Sequence, residues 1–383
     1  MKIYEAMVCT RLVSFLEENN ILSPFQAAYQ RGRSATDHIL TLHEIFLEYR
    51  YNKIGARGGR SKKRLFFIFL DLKKAFDTVP RNLLFSKLFN AGIRGKLFRI
   101  IRNLFSRNIA NVLVDGFLSP DFIINRGVLQ GSKLGPILFN VFINDLLIEL
   151  SDSKLGATVD NLLVSALGFA DDIVLITDCP IKAQKLLDIC ENWTCANKMA
   201  FNTSKCKVLV LNGPYGDITL KLNGENLQVV RKKKYLGVTF ATGYITNLFR
   251  EHFRLTLEKA RSRVATIRRF GFYKGGLSLP SSIKLYKSQV RPILEYGAQS
   301  LAYGRYCTLS KPDGPTGFAK DLEHFQTQTL KHLIGCPRNT SPAMVRLFCG
   351  VEPITGRLEV LKLRYFWKIL NGHSDSITSK ILS

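Results

Sequence analysis

No apolar run in this sequence reaches the roughly 18–20 residues that a membrane-spanning helix needs. The first ten residues lack the apolar centre of a secretory signal, because the stretch is polar and Glu5 interrupts it. There is no C-x-x-C pair and no internal repeat. The eight cysteines, Cys9, Cys179, Cys190, Cys195, Cys206, Cys307, Cys336 and Cys349, are scattered. His324, His332, Cys336 and Cys349 lie near one another, but their spacing fits no zinc pattern, so no zinc site is expected. Single thiols in a reducing compartment are the better reading. Acid is also scarce: 30 Asp and Glu stand against 55 Lys and Arg, a net charge of +25. That excess exceeds what solubility asks. It points to a polyanionic partner, nucleic acid first, with a generic basic protein at a ribosome or membrane surface as the bland alternative.

What is present is a globular chain. Its 383 residues are 46% hydrophobic and 11% aromatic, enough for two or three domains and a substantial core. Residues 1–20 read as a helix with Val8, Leu12, Phe15 and Leu16 on one face, and a second helix spans Thr36 to Tyr51. Residues 53–64 form a glycine-rich loop with six cations and no acid, either solvated or touching phosphates. Six consecutive apolar residues, Leu65 to Leu70, suit a strand buried on both faces, and Asp71 closes it. Residues 81–106 read as helical with a break at Gly92, and Ile109–Val114 and Phe122–Asn125 as two strands joined through Gly116 and Pro120. A helix is expected from Leu134 to Leu150, with Pro136 in its first turn, and another from Ile181 to Asn197. Between them, Leu167–Phe169 and Ile173–Thr177 flank Ala170-Asp171-Asp172 as a hairpin with carboxylates at its tip. Lys207–Leu211 and Tyr235–Phe240 read as short strands, and beyond Arg254 the chain turns helical and basic.

An aspartate at a strand end is usually a cap or turn residue. Asp71 and Asp171-Asp172 together suit one chemistry. Transfer of a nucleotide to a hydroxyl gathers negative charge on phosphate oxygens, and two Mg²⁺ ions about 3.5–4 Å apart can hold the attacking and leaving oxygens. Magnesium takes hard oxygen ligands. One carboxylate must come from a distant strand, since adjacent residues of an extended chain point to opposite faces. Without metal, three clustered carboxylates raise one another's pKa. The glycine-rich segment Arg126 to Pro136 precedes a helix, where Gly131 would let backbone approach a nucleotide and Gln130 could reach its sugar or base.

At these residues the chain resembles the reverse transcriptases of non-LTR (LINE-type, jockey-like) retrotransposons. Residues 65–80, containing FFIFLDLKKAFDTVP, are similar to that family's first catalytic motif. RGVLQGSKLGPILFNVFINDL (126–146) resembles its nucleotide-side motif, and GFADDIVLI (168–176) its double-aspartate motif. Asn202–Lys205 resembles the next motif, Tyr235-Leu236-Gly237-Val238 the primer-grip strand, Ser23–His38 the segment between fingers and palm, and Val290–Gly297 the thumb. The resemblance implies an α+β fold: a right-hand polymerase with partial fingers (1–64), a palm of antiparallel sheet backed by helices (65–240, with fingers elements at 81–125), and a helical thumb with C-terminal extension (241–383). It implies two Mg²⁺ ions, with Mn²⁺ as substitute, on Asp71, Asp171 and Asp172. Lys205 is implied as general acid for the departing pyrophosphate, with a plain surface lysine as the alternative. Leu72, Phe76, Gln130, Gly131 and Arg33 fall on the nucleotide side, Phe76 excluding a 2′-hydroxyl or else simply packing in the core. Arg31 and Arg33 would touch template or triphosphate. Tyr235, Leu236, Gly237, Arg254, Lys259 and Arg261 would meet primer and template, with Arg263, Arg268 and Arg269 extending the basic thumb helix. The implied partners are an RNA template, a DNA primer and dNTP, with no membrane, and an intact element would work in nucleus and cytoplasm.

The family's fingers begin before the helix that opens this chain, so the expectation is a truncated element or an incomplete gene model. Leu129 and Lys133 stand where the family usually has proline and an apolar residue. The competing readings are a catalytically inactive, basic nucleic-acid-binding remnant, and another palm polymerase such as a group II intron maturase or a viral RNA polymerase. Phe76 argues against ribonucleotide use, and the wording of 126–146 against the maturases.

Overall fold

The computed structural model describes residues 2–51, 64–106, 108–129, 131–159, 162–213, 218–242, 248–269, 276–297, 318–371 and 376–382. Gln130, Cys307 and the basic loop up to residue 63 lie outside the described residues. The chain divides into two compact units. One is Met1–Ala35, Glu48–Val230 and Asp375–Ile381; the other is Thr36–Leu47, Arg231–Ser374 and Leu382–Ser383. No helix among the described residues is long and apolar enough to cross a membrane.

The chain opens with α1 (Lys2–Glu18), which buries Val8, Leu12 and Leu16 as one stripe, and α2 (Ala35–Tyr51). Strand β1 (Leu65–Leu70) is buried at every position, as its unbroken apolar run requires. After it come α3 (Ala75–Thr78), α4 (Arg81–Asn90) and α5 (Gly95–Ser106), the last two parted at Gly92, whose φ is +86°. The segment expected to hold two strands holds four: β2 (Ile109–Ala110), β3 (Leu113–Val114), β4 (Phe117–Leu118) and β5 (Phe122–Ile123). β3 pairs with β4 inside the pairing of β2 with β5. Asp115 and Gly116, both at positive φ, close the inner turn, and Pro120, lacking an N–H, interrupts the outer ladder.

Helix α6 (Gly135–Asp152) follows, then the small hairpin β6 (Ala157–Val159) and β7 (Leu162–Val164). Next come β8 (Ala166–Phe169), β9 (Asp172–Thr177), α7 (Pro180–Asn197) and β10 (Lys207–Leu211). β11 (Lys221–Leu222), β12 (Glu225–Asn226) and β13 (Gln228–Val230) end this run. The main sheet has the order β13-β10-β1-β9-β8. Its ladders are antiparallel except for β13, which lies parallel to β10. Phe66, Ile68 and Leu70 of β1 join the core formed with Leu138, Phe139, Phe142 and Leu146 of α6 and Leu186, Leu187 and Trp193 of α7. Phe67 and Phe69, on the opposite side of the pleat, are also buried.

Besides its part of α2, the second unit holds β14 (Lys232–Tyr235) and β15 (Val238–Ala241). The single strand expected over Tyr235–Phe240 is the turn and second arm of this hairpin. Helix α8 (Arg250–Arg268) follows, then α9 (Leu279–Leu285), a π-helical turn (Tyr286–Val290) and α10 (Arg291–Glu295). Pro292 supplies no N–H and clashes with the carbonyl one turn back, which accounts for the widened turn ahead of it. The remaining helices among the described residues are α11 (Phe318–Ile334), α12 (Pro342–Cys349), α13 (Ile354–Leu370) and α14 (Ile377–Leu382). Leu257, Ala260 and Val264 of α8 pack with Tyr286, Val290, Leu294, Leu322, Leu330 and Leu358 in a separate core. The molecule is thus a mixed helix-and-sheet protein.

Candidate active site

Central strand β1 ends just before Asp71, and a strap from residues 200 to 206 is bonded to the chain there. Lys73 N–H donates to Ala200 O (2.8 Å), Asn202 N–H to Asp71 O (2.7 Å), and Asp71 N–H to the Cys206 sulfur (3.4 Å). The turn at Asn202–Lys205 brings Lys205 Nζ to 3.7 Å from Asp71 Oδ2. Both side chains are substantially exposed, so this pair contributes little stability. Its interest is the placement of a cation beside the carboxylate.

Strand β9 pairs with β1, Ile173 opposite Leu70, so the β8–β9 turn lies beside Asp71. Ala170, at φ +56°, makes the turn, Asp171 follows it, and Asp172 opens β9 opposite Phe169. Burial pushes the Asp171 carboxyl above its usual range, and the charge of Asp71 pushes it further. Asp172 is exposed. Among the described residues no three His, Cys, Asp or Glu side chains form a group that could hold a metal ion. The donor chemistry nonetheless suits one: two hard carboxylates on neighbouring strands, one of them desolvated, with a third adjacent in the chain.

The glycine-rich segment is registered directly on the first motif. Val128 N–H donates to Phe76 O and Gly127 N–H to Val79 O, both at 2.8 Å. Gly127 has φ +84°, and a Cβ there would lie 2.7 Å from the Asp77 carbonyl oxygen, so no other residue fits. Buried Arg81 pins the segment from behind, donating to Gly127 O (2.9 Å), Phe105 O and Ile124 O (both 2.6 Å). Gly131 is exposed at φ +77°, with open space where a Cβ would be. Leu72 is buried and bridges to Phe201. Phe76 is half-buried and stacks on Phe139, with ring centroids 4.7 Å apart. Arg33 Nη1 donates to the backbone carbonyls of Pro24 (2.7 Å) and Gln26 (2.8 Å).

In the second unit, Leu236 (φ +44°) and Gly237 (φ +81°) form the β14–β15 turn. Tyr235 is buried against Phe240. The Tyr296 hydroxyl donates to Leu236 O (2.7 Å), and a Cβ on Gly237 would meet the Tyr296 ring at 2.6 Å. His252 Nδ1 accepts from Thr239 N–H (3.4 Å), and burial pushes this histidine down to about 4. On α8, Arg254 is held by Glu251 (2.9 Å) and by Glu258, whereas Lys259 and Arg261 are exposed.

A family model described as reverse transcriptase (RNA-dependent DNA polymerase) matches residues 1–240. The chain belongs to the reverse transcriptase family. It is similar to the RNA-directed DNA polymerase from mobile element jockey of Drosophila melanogaster, 25% identical over 99% of this chain and 39% of that protein. It is also similar to the Pol polyprotein from the type-2 retrotransposable element R2DM of the same fly, 30% identical over 46% of this chain and 18% of that protein. The chain therefore spans about two-fifths of the length of its jockey relative. Among solved structures, telomerase from Candida tropicalis in complex with a TWJ fragment of telomeric RNA is similar at a TM-score of 0.47 and 14% identity. That match covers 99% of this chain and 55% of the telomerase chain. The family uses divalent metal ions.

This chain brings Asp71, Asp171 and Lys205 together, and Phe76 to the segment that leads to Gly131. Residue-by-residue reading missed the polar groups that hold these parts in place. Gln26, Arg81, Tyr296 and His252 carry no local signal for such a role. Asn140 and Asn144 were findable: they stand four apart within the apolar run Ile137–Ile143 and its next residue, on the buried face of the helix, where an amide needs a partner.

Proposed function

We propose that this chain is the polymerase core of a non-LTR retrotransposon, an RNA-directed DNA polymerase that adds deoxynucleotides to a primer 3′-hydroxyl on an RNA template. The observation that supports it most is the meeting of Asp71 and Asp171 from neighbouring strands beside Lys205, in a member of the reverse transcriptase family. In this reading residues 1–64 are part of the fingers, 65–240 the palm with fingers elements at 81–125, and 241–383 the thumb and its extension.

Asp71, Asp171 and Asp172 would hold two Mg²⁺ ions, or Mn²⁺ in their place. Bound there, the ions would stabilise the attacking and leaving oxygens of the transferred phosphate. Lys205 offers a proton to the departing pyrophosphate. Phe76, backed by Phe139, closes the sugar side against a 2′-hydroxyl, while Leu72, Gln130 and Gly131 line the nucleotide, with Arg33 beside them or bracing the turn. The Leu236-Gly237 turn meets the primer through its backbone, since Tyr235 is buried. Lys259 and Arg261 take template and primer phosphates, and Arg254 does so less because Glu251 and Glu258 already hold it.

The test is primer extension on poly(rA)/oligo(dT) with Mg²⁺, comparing the unsubstituted chain with Asp171→Ala. Extension that the substitution abolishes is the expected result. No extension by the unsubstituted chain, under conditions where a full-length relative works, sinks the claim.

A further inference from the structure

We propose that Gln26 is a positioning residue for the metal centre: its buried amide sets the turn that carries Asp171, and Arg33 and Asn140 hold Gln26 in place. This rests on the reading of Asp171 as a metal ligand. Gln26 is 1% exposed. Its Oε1 accepts from Ala170 N–H (2.9 Å) and Ala28 N–H (3.0 Å), and its Nε2 donates to Ala170 O at 3.5 Å. The N–H and C=O of Ala170 belong to the two peptide planes on either side of that residue. Bonding both therefore sets the direction in which Asp171 leaves the turn. Ala170 sits at φ +56°, which a residue with a Cβ adopts only at a cost, so the turn needs such support.

The support reaches back through two further layers. Residues 25–27 run alongside β8: Gly168 N–H donates to Phe25 O (2.9 Å) and Ala27 N–H to Gly168 O (3.0 Å). A Cβ on Gly168 would come within 2.9 Å of Leu147 and 3.3 Å of Gln26 Nε2, so glycine leaves room for the amide. Behind this, Arg33 Nη1 clasps the carbonyls of Pro24 and Gln26, and Asn140 Nδ2 donates to Ala28 O (2.7 Å). Asn144 completes the brace, accepting from Ser23 N–H (2.7 Å) and donating to Ile21 O (2.9 Å). Groups that orient a metal ligand in this way ordinarily change metal affinity about 10- to 100-fold when removed.

The experiment uses the full chain and two readouts, deuterium uptake across residues 166–177 and Mn²⁺ affinity by electron paramagnetic resonance. Gln26→Met removes the acceptor and the donor at similar length. It should speed exchange in 166–177, leave α7 protected, and weaken Mn²⁺ binding roughly tenfold or more. Gln26→Glu keeps the accepting oxygen and should retain the slow exchange. Arg33→Met should act on exchange and Mn²⁺ binding in the same direction as Gln26→Met. Unaltered exchange and Mn²⁺ binding in Gln26→Met would overturn the proposal. So would an Arg33→Met chain with a raised dNTP KM and parental exchange, which places Arg33 on the triphosphate instead. If Gln26→Met loses protection across the whole sheet, Arg33→Met decides, and parental exchange in its 166–177 segment overturns the proposal. Asp171→Ala is the control for the underlying reading. If it binds Mn²⁺ like the parent, the metal-centre reading fails, while the exchange data still report whether Gln26 holds the turn.

Discussion

Asp171 is a carboxylate held where its charge is unwelcome until a cation arrives. Its folded-state pKa lies above the ordinary value, because burial disfavours the ion and Asp71 repels it. The folded chain therefore binds this proton more tightly than the unfolded chain does. Linkage then makes the group's contribution to stability fall as pH rises from the ordinary carboxylate range through the raised pKa. This is opposite to the usual ion-paired aspartate. Asp171→Asn removes the penalty, so the metal-free variant should melt higher than its parent at pH 8. The difference should shrink as the pH falls toward the ordinary carboxylate pKa of about 4 and vanish below it, where the parent carboxyl is protonated in both states. Melting curves across that range in EDTA test it, and a variant that melts lower than the parent at pH 8 would show that the turn depends on the carboxylate. Lys205 does not remove the effect: its ammonium stands beside Asp71 and is 65% exposed, where solvent screens it.

Among the elements, the β14–β15 hairpin shows how a turn can be shaped from outside its own sequence. Two-residue hairpin turns with both residues at positive φ favour Asn-Gly or Asp-Gly. Here the first position is Leu236, and the Tyr296 hydroxyl and ring hold the turn from α10's end. Tyr296→Phe loses one hydrogen bond, about 0.5–1.5 kcal/mol. If the turn contacts primer, the KM for primer–template should rise roughly two- to tenfold while turnover of already bound primer stays near the parent's. Equal KM values would show that Tyr296 serves folding alone. The same contrast explains what could be read in advance. β1 was legible because six apolar residues in a row admit few other fates, and the Asp171 hairpin because apolar arms flank its acids. The Leu236 turn was hidden because its reason lies 60 residues away, and the Gln26 brace because its partner lies 144 residues away. Arg254 is a different case. Glu251 and Glu258 stand three and four residues from it in plain view, on the face where helix pairs form.

For the whole molecule, a net charge of +25 makes salt the natural probe. Each cation that neutralises a phosphate releases condensed counterions, so log K falls with log salt by nearly one unit per contact. A core making about 6–10 such contacts should lose on the order of 10³- to 10⁵-fold in affinity between 50 and 200 mM salt. The structure ranks the contributors on α8. Lys259 and Arg261 are exposed, and no ion pair ties them among the described residues, whereas Arg254 shares its guanidinium with two glutamates. Those contacts hold Arg254 more firmly in its charged form. They also neutralise its field toward a distant phosphate. Arg261→Ala should therefore lower the salt slope by about one unit, and Lys259→Ala likewise, whereas Arg254→Ala should lower it by clearly less. Affinities of the three variants for an RNA–DNA hybrid across a salt series give the slopes directly. A full-unit loss for Arg254→Ala would mean that nucleic acid displaces its glutamates, and that α8 rearranges its ion pairs on binding.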